Sequence, residues 1–271
     1  MSKPRERSAR RGRSPRQRSS DRAGRGPIWG RPAPGSRRPT LSRDIIAAAA
    51  LEIADHEGFD AVSMRRIAEK LGAGTMTLYY YMRTKDDLLA LMDDALIGEA
   101  LVPAGELAED WRGALAAIAR RTRDAFLRHP WAFKALQGAR MGPNGLRHVE
   151  QSMAAVATAP LDLAGKVALC GVIDDFVFGY VLRNIDAPPM DARVINELVR
   201  AHLASGQFPL IAQLVGDETP SAVFQRAGAW MRDETRFEFG LQAILDAVAA
   251  GRTPVQTNSR TTTGVAKAHR R

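Results

Sequence analysis

The stretch Ser63-Met64-Arg65-Arg66-Ile67-Ala68-Glu69-Lys70-Leu71-Gly72-Ala73-Gly74-Thr75-Met76-Thr77-Leu78-Tyr79-Tyr80-Tyr81 decides the fold. Ile67, Ala68 and Leu71 recur at helical spacing, Gly72 and Gly74 permit a tight turn, and Leu78 returns an apolar side chain from the next helix. A short helix, a Gly-containing turn and another short helix make a helix-turn-helix, whose second helix enters the major groove where the motif works on DNA. That helix is expected to present Thr75, Thr77, Tyr79, Tyr80 and Tyr81 outward, with hydroxyl groups to offer to base edges and phosphates. Arg65, Arg66, Arg83 and Lys85 flank it and can reach phosphates. On pattern alone, the same spacing also fits an αα-hairpin that touches no nucleic acid.

Outward from this motif the apolar residues keep helical spacing. Ile45, Ile46, Ala49, Ala50 and Ile53 mark a helix that starts after Thr40 or Ser42 and stops at Gly58. Another opens at Thr84, with Leu88, Leu89, Met92 and Leu96 inward. Later stripes follow, and Pro103, Pro130, Pro143, Pro188, Pro189 and Pro209 fall in the gaps, where they end helices without breaking them. No segment sustains the period-two alternation of a strand. The expected fold is therefore all-α: a three-helix helix-turn-helix DNA-binding domain over residues 40–100, then a helical-bundle ligand-binding and dimerisation domain over residues 101–251.

Two late segments stand out. From Leu163 to Leu182 apolar residues cover nearly the whole circumference, which predicts a helix buried on all sides. The last helix carries Phe237, Leu241, Ile244, Leu245 and Val248. Such a pair can build a four-helix interface with a second copy, placing Val177 and Leu241 in it, although a central core helix fits the periodicity equally well. Asp174 and Asp175 interrupt the apolar run. Buried carboxylates are costly without partners, so they face a ligand or a partner's Arg, or form a satisfied structural pair.

The net charge of +9 is unevenly placed. Residues 1–39 hold 13 Lys and Arg against 2 acids, residues 252–271 hold 5 against none, and the body between them is mildly acidic. Both ends read as disordered basic segments, an arm at 1–39 and a tail at 252–271, with Ile28 and Trp29 the only sizeable apolar groups of the arm. The arm is either a solvated tail or an element lying along DNA phosphates. A lone Cys170 excludes a disulfide framework. No apolar run is long enough for a membrane span and no signal peptide is present, so a cytoplasmic, nucleoid-associated protein is expected. No H-E-x-x-H, phosphate-binding loop or nucleophile elbow occurs, so no enzyme activity, metal site or cofactor is expected. A basic-tailed scaffold for nucleic acid or membrane surfaces, without ligand response, is the alternative.

Residues 41–99 resemble the N-terminal domain of the tetracycline-repressor (TetR) family. The likeness rests on Ser63-Met64-Arg65-Arg66-Ile67-Ala68, Leu71-Gly72, Thr77-Leu78-Tyr79-Tyr80-Tyr81 and Lys85-Asp86-Asp87-Leu88-Leu89. The resemblance implies that Thr75–Tyr81 is the recognition helix of a transcriptional repressor. It implies that Thr75, Met76, Thr77, Tyr79, Tyr80 and Tyr81 lie at the DNA, with Ser63 and Arg65 reaching it from the preceding helix and Lys85 on phosphate. Tyr81 departs from the His or Phe common there. Residues 107–184 resemble the tetracycline-binding C-terminal domain through Trp111, His129-Pro130, Gln137-Gly138-Ala139-Arg140 and Gly179-Tyr180-Val181-Leu182. Where that subgroup holds magnesium with His and Glu, this sequence reads Leu136 and Arg183. A hard cation loses its ligands. The expectation is thus a homodimer on a palindromic operator, released by a largely apolar small molecule bound near Phe133, Leu136, Met153, Phe176 and Tyr180.

Overall fold

The computed structural model describes residues 27–31, 41–135, 141–185 and 191–254. Among them all regular structure is helical. The chain divides into two compact units, the first running to Ala95 and taking in Met141–Pro143, the second holding the rest from Leu96.

In the first unit, α1 (Arg43–Glu57) starts where the Ser42 hydroxyl accepts from the Ile45 amide at 3.2 Å, a cap of about 1 kcal/mol, and ends at Gly58, whose φ of 88° suits glycine. Helix α2 (Met64–Lys70) repeats the device with Ser63 accepting from Arg66 N at 3.2 Å, and Gly72 at φ 59° turns the chain. Helix α3 (Thr75–Tyr81) follows at once. Helix α4 (Lys85–Ala100) opens with a reciprocal cap: Asp87 N donates to Thr84 Oγ1 at 3.0 Å while the Asp87 carboxylate accepts from Thr84 N and Arg83 N. Ile46, Ile53, Ile67, Leu78, Met82, Leu88 and Met92 are buried, each contributing about 1.5–3 kcal/mol. The Arg66 guanidinium holds Glu57 at 2.9 and 2.6 Å, and Lys70 pairs with Glu52 at 2.7 Å, so charged contacts fasten α2 to α1.

Part of the arm is folded. Residues Ile28–Gly30 form a 3-10 turn with Ile28 only 1% exposed, and Arg31 makes an ion pair with Asp87. Reading all of 1–39 as disordered is corrected for this stretch: one buried Ile and one buried ion pair anchor it on the unit. Residues 1–26, 32–40 and 255–271 lie outside the described residues.

The second unit contains α5 (Trp111–Arg128), α6 (Ala132–Ala135), α7 (Pro143–Ala155), α8 (Leu163–Asn184), α9 (Ala192–Leu203), α10 (Pro209–Val215), α11 (Pro220–Arg232) and α12 (Glu234–Ala249). Asp110, Asp162 and Asp233 cap α5, α8 and α12. Leu115, Leu169, Ile173, Val177, Val181, Phe237, Leu241 and Leu245 form one buried cluster. Ion pairs fasten α12 to α5: Arg112 with Asp246, Arg120 with Glu238 at 2.6 Å, and Arg123 with Glu234 at 3.0 Å. The expectation that α8 is buried on all sides is corrected for the single chain. Leu163, Val167, Val172 and Leu182 are exposed on it, and Phe239 of α12 is 76% exposed. Val177 and Leu241, expected at an interface with a second copy, instead lie in the chain's own core. Among the described residues no helix is long and apolar enough to cross a membrane.

Candidate nucleic-acid interface

The capped α1 and α2 hold the seven residues of α3 with Leu78 inward. Its outward side carries Met76, 81% exposed, with Tyr79 and Tyr80 also exposed and Thr75 and Thr77 half-buried. Tyr81 is the exception. At 6% exposed it packs inside, its ring edge-on to Tyr80 at 6.0 Å, so the expectation that its hydroxyl faces DNA is corrected. Tyr81 stands three positions after Leu78, which puts both on the inner side of the helix.

Around this face lie the expected cations. Arg65 is almost fully exposed and pairs with Glu69 at 2.9 Å, a hydrogen bond that raises its pKa further, so it stays charged. An exposed pair of this kind is weak enough to exchange its carboxylate for a phosphate. Arg66 is committed to Glu57 instead, and the Ser63 hydroxyl to its own helix cap. Lys85 is exposed at the start of α4. Beside it burial opposes ionisation of Asp87, but the Arg83 amide and the Arg31 guanidinium hold its pKa below the usual carboxylate range. The α3–α4 corner is thereby fixed by a charged group contributed from the arm.

The expected ligand residues are split. Phe133 joins Phe126 and Phe178, with ring centroids 5.2 and 5.6 Å away. Phe176 packs tilted and Tyr180 edge-on against Phe237 instead, at 5.2 and 4.9 Å, and a Cβ on Gly240 would meet the Phe176 ring at 2.6 Å. The Tyr180 hydroxyl donates to the Arg232 carbonyl at 2.9 Å. Phe176 and Phe178 are two residues apart, so they point to different sides of α8. Met153 is half-buried against the same core, and Leu136 lies outside the described residues. Among the described residues no cluster of His, Cys, Asp and Glu could hold a metal ion.

Residues 46–92 match "Bacterial regulatory proteins, tetR family", and residues 103–251 match "Tetracyclin repressor-like, C-terminal domain". The chain belongs to the TetR family. It is 34% identical over 229 residues to the transcriptional repressor DrrR1 of Streptomyces coeruleorubidus, covering 80% of each chain. It is 27% identical to the class A tetracycline repressor of transposon 1721 from Escherichia coli, over 80% of this chain and 94% of that one. Among solved structures it is similar to apo ActR of Streptomyces coelicolor, with TM-score 0.60, 28% identity and coverage of 79% and 97%; ActR has also been solved with actinorhodin. As a TetR protein the chain is a ligand-responsive, DNA-binding transcriptional regulator and not an enzyme. The scaffold alternative would leave both domain matches without a reason.

Ile28, Trp29 and Arg31 were not foreseen as parts of the DNA-binding unit. Their signal was the lone apolar pair Ile28-Trp29 in an otherwise polar arm.

Proposed function

We propose that this TetR regulator is a homodimeric repressor that grips a palindromic operator with α3 and releases it when a largely apolar, metal-independent small molecule binds the C-terminal domain. Domains at 40–100 for DNA and at 101–251 for ligand and dimer follow from this reading, and so does a cytoplasmic location at the nucleoid. Thr75, Met76, Thr77, Tyr79 and Tyr80 meet bases and neighbouring phosphates, Arg65 reaches across from α2 with the backbone around Ser63, and Lys85 takes a phosphate. The observation that carries the proposal is the outward side of α3: Met76, Tyr79 and Tyr80 are exposed while Leu78 and Tyr81 anchor the helix. Two copies present two such helices, which need half-sites about one helical turn or a multiple apart. The exposed apolar side chains of α8 and α12 support pairing through those helices. A ligand acts by favouring the conformation whose recognition helices no longer match that spacing, because one indifferent to the two states shifts nothing.

Selection of bound duplexes from a random pool, read by sequencing, tests the proposal. A twofold-symmetric motif is the expected result. Enrichment of an unsymmetrical motif, or of none, would overturn it.

A further inference from the structure

Cys170, Asp174 and Phe178 follow one another at four-residue spacing on α8 and so share one side of it. Two contacts set the register of α7 and the following turn against this helix. The Cys170 thiol donates to the Ser152 carbonyl at 3.9 Å, and Lys166 donates to the Ala157 carbonyl. The chain therefore runs back on itself, and His148 lies one turn before Ser152 on α7. One turn further along α8, Phe178 meets Phe126 at 5.1 Å and Phe133 at 5.6 Å.

Among the described residues the charges at this place do not balance. Asp174 has no hydrogen-bond or ion-pair partner among the described residues, and its acidic neighbour is Asp175. His148 brings no positive charge, since burial lowers its pKa and leaves its Nδ1 without a partner. On α5, Arg120 and Arg123 are held by Glu238 and Glu234, and Arg112 by Asp246. Burial, then the charge of Asp175, pushes the Asp174 carboxyl up to about 6, so at pH 7.5 it is ionised and poorly compensated. A half-buried charge without a counterion is costly, and ring faces attract cations for reasons of their own. One carboxylate beside phenyl rings suits an organic cation, whereas a hard metal ion asks for several oxygens.

We propose that Asp174, beside the Phe126, Phe133 and Phe178 rings, binds the cationic group of the effector, so that the regulator answers to lipophilic amines. This rests on the ligand-responsive repressor described above and gives its effector a chemical class.

Three probes of one shape separate the charge from the apolar body: 2-naphthylmethylamine, 2-naphthylmethanol and 2-naphthoate, titrated calorimetrically into the full chain at pH 7.5. The amine is expected to bind at least tenfold more tightly than the alcohol, and the carboxylate most weakly. Asp174→Asn should bring amine and alcohol to within about twofold of each other. Phe178→Leu should weaken both while keeping the amine's lead. Equal binding of amine and alcohol by the unmodified chain, a preference that survives Asp174→Asn, or no binding of any probe would overturn the proposal. Operator binding is measured separately without probe. Its loss would count against the repressor reading, whereas intact operator binding with no amine preference would sink the effector class alone.

Discussion

The outward sides of α3 and of α8 with α12 expose different chemistry. Around α3 the accessible groups are tyrosine hydroxyls, one methionine and cations that have no acidic partner among the described residues or are held by an exposed carboxylate. On α8 and α12 they include the large apolar side chains Leu163, Val167, Val172, Leu182 and Phe239, with the exposed Arg183 and Arg236 near one end of each helix. A hydrated polyanion is matched by donors and positive charge, whereas exposed aliphatic and aromatic side chains lose free energy to water until another apolar surface covers them. One chain thus carries a surface suited to DNA and another suited to a copy of itself, and changes to the two should fail in different ways.

The largest expected effect separates core from interface on a single helix, α12. Leu241→Asp buries an unpaired charge in the chain's own core, so circular dichroism should report loss of the folded state at 37 °C, a cost on the order of 4–5 kcal/mol or more. Phe239→Asp should leave the helical signal intact while light scattering reports a monomer. Unfolding by both, or by neither, would erase the distinction between inward and outward sides.

Smaller effects belong to single side chains. Tyr79→Ala and Arg65→Ala are each expected to weaken specific operator binding by about 1–3 kcal/mol in anisotropy titrations, with the thermal midpoint unchanged. Asp174→Asn should act on stability. The folded-state pKa of about 6 lies above the ordinary 3.8, so this group's destabilisation is absent below pH 4 and grows as pH rises through 6. The variant should gain up to about 3 kcal/mol over the unmodified chain at pH 7.5 and nothing at pH 4, read from denaturant midpoints. Lys85→Ala is the mildest change. It should lower affinity for every duplex alike and reduce the slope of log affinity against log salt by about one.

The first unit was the more legible half because its signals are local. Ser42, Ser63 and Thr84 cap the helices that follow them, and Gly58 and Gly72 take backbone angles that other residues avoid. Tyr81 was misread because a polar hydroxyl says nothing of which side its ring takes, and in a helix of seven residues the side is set by the partner it packs on. In α8 apolar residues occur all around, so periodicity could not tell Val177, which faces its own chain, from Val172, which faces out. The ligand residues were harder still. Phe133 belongs with Phe126 and Phe178 while Phe176 belongs with Phe237, a division set by how α5 and α12 flank α8 and not by spacing within any one of them. Arg31 pairs with a carboxylate 56 positions away, and no local pattern announces such a contact.

The central claim is that two copies, joined through α8 and α12, read one operator with their α3 helices. The stoichiometry of the complex on a selected twofold-symmetric duplex, measured by sedimentation with the unmodified chain and with Phe239→Asp, tests it most directly. The expected result is two chains per duplex for the unmodified protein, and at the same concentration no stable complex for Phe239→Asp. A single chain bound with full affinity, or a Phe239→Asp complex indistinguishable from the unmodified one, would contradict it.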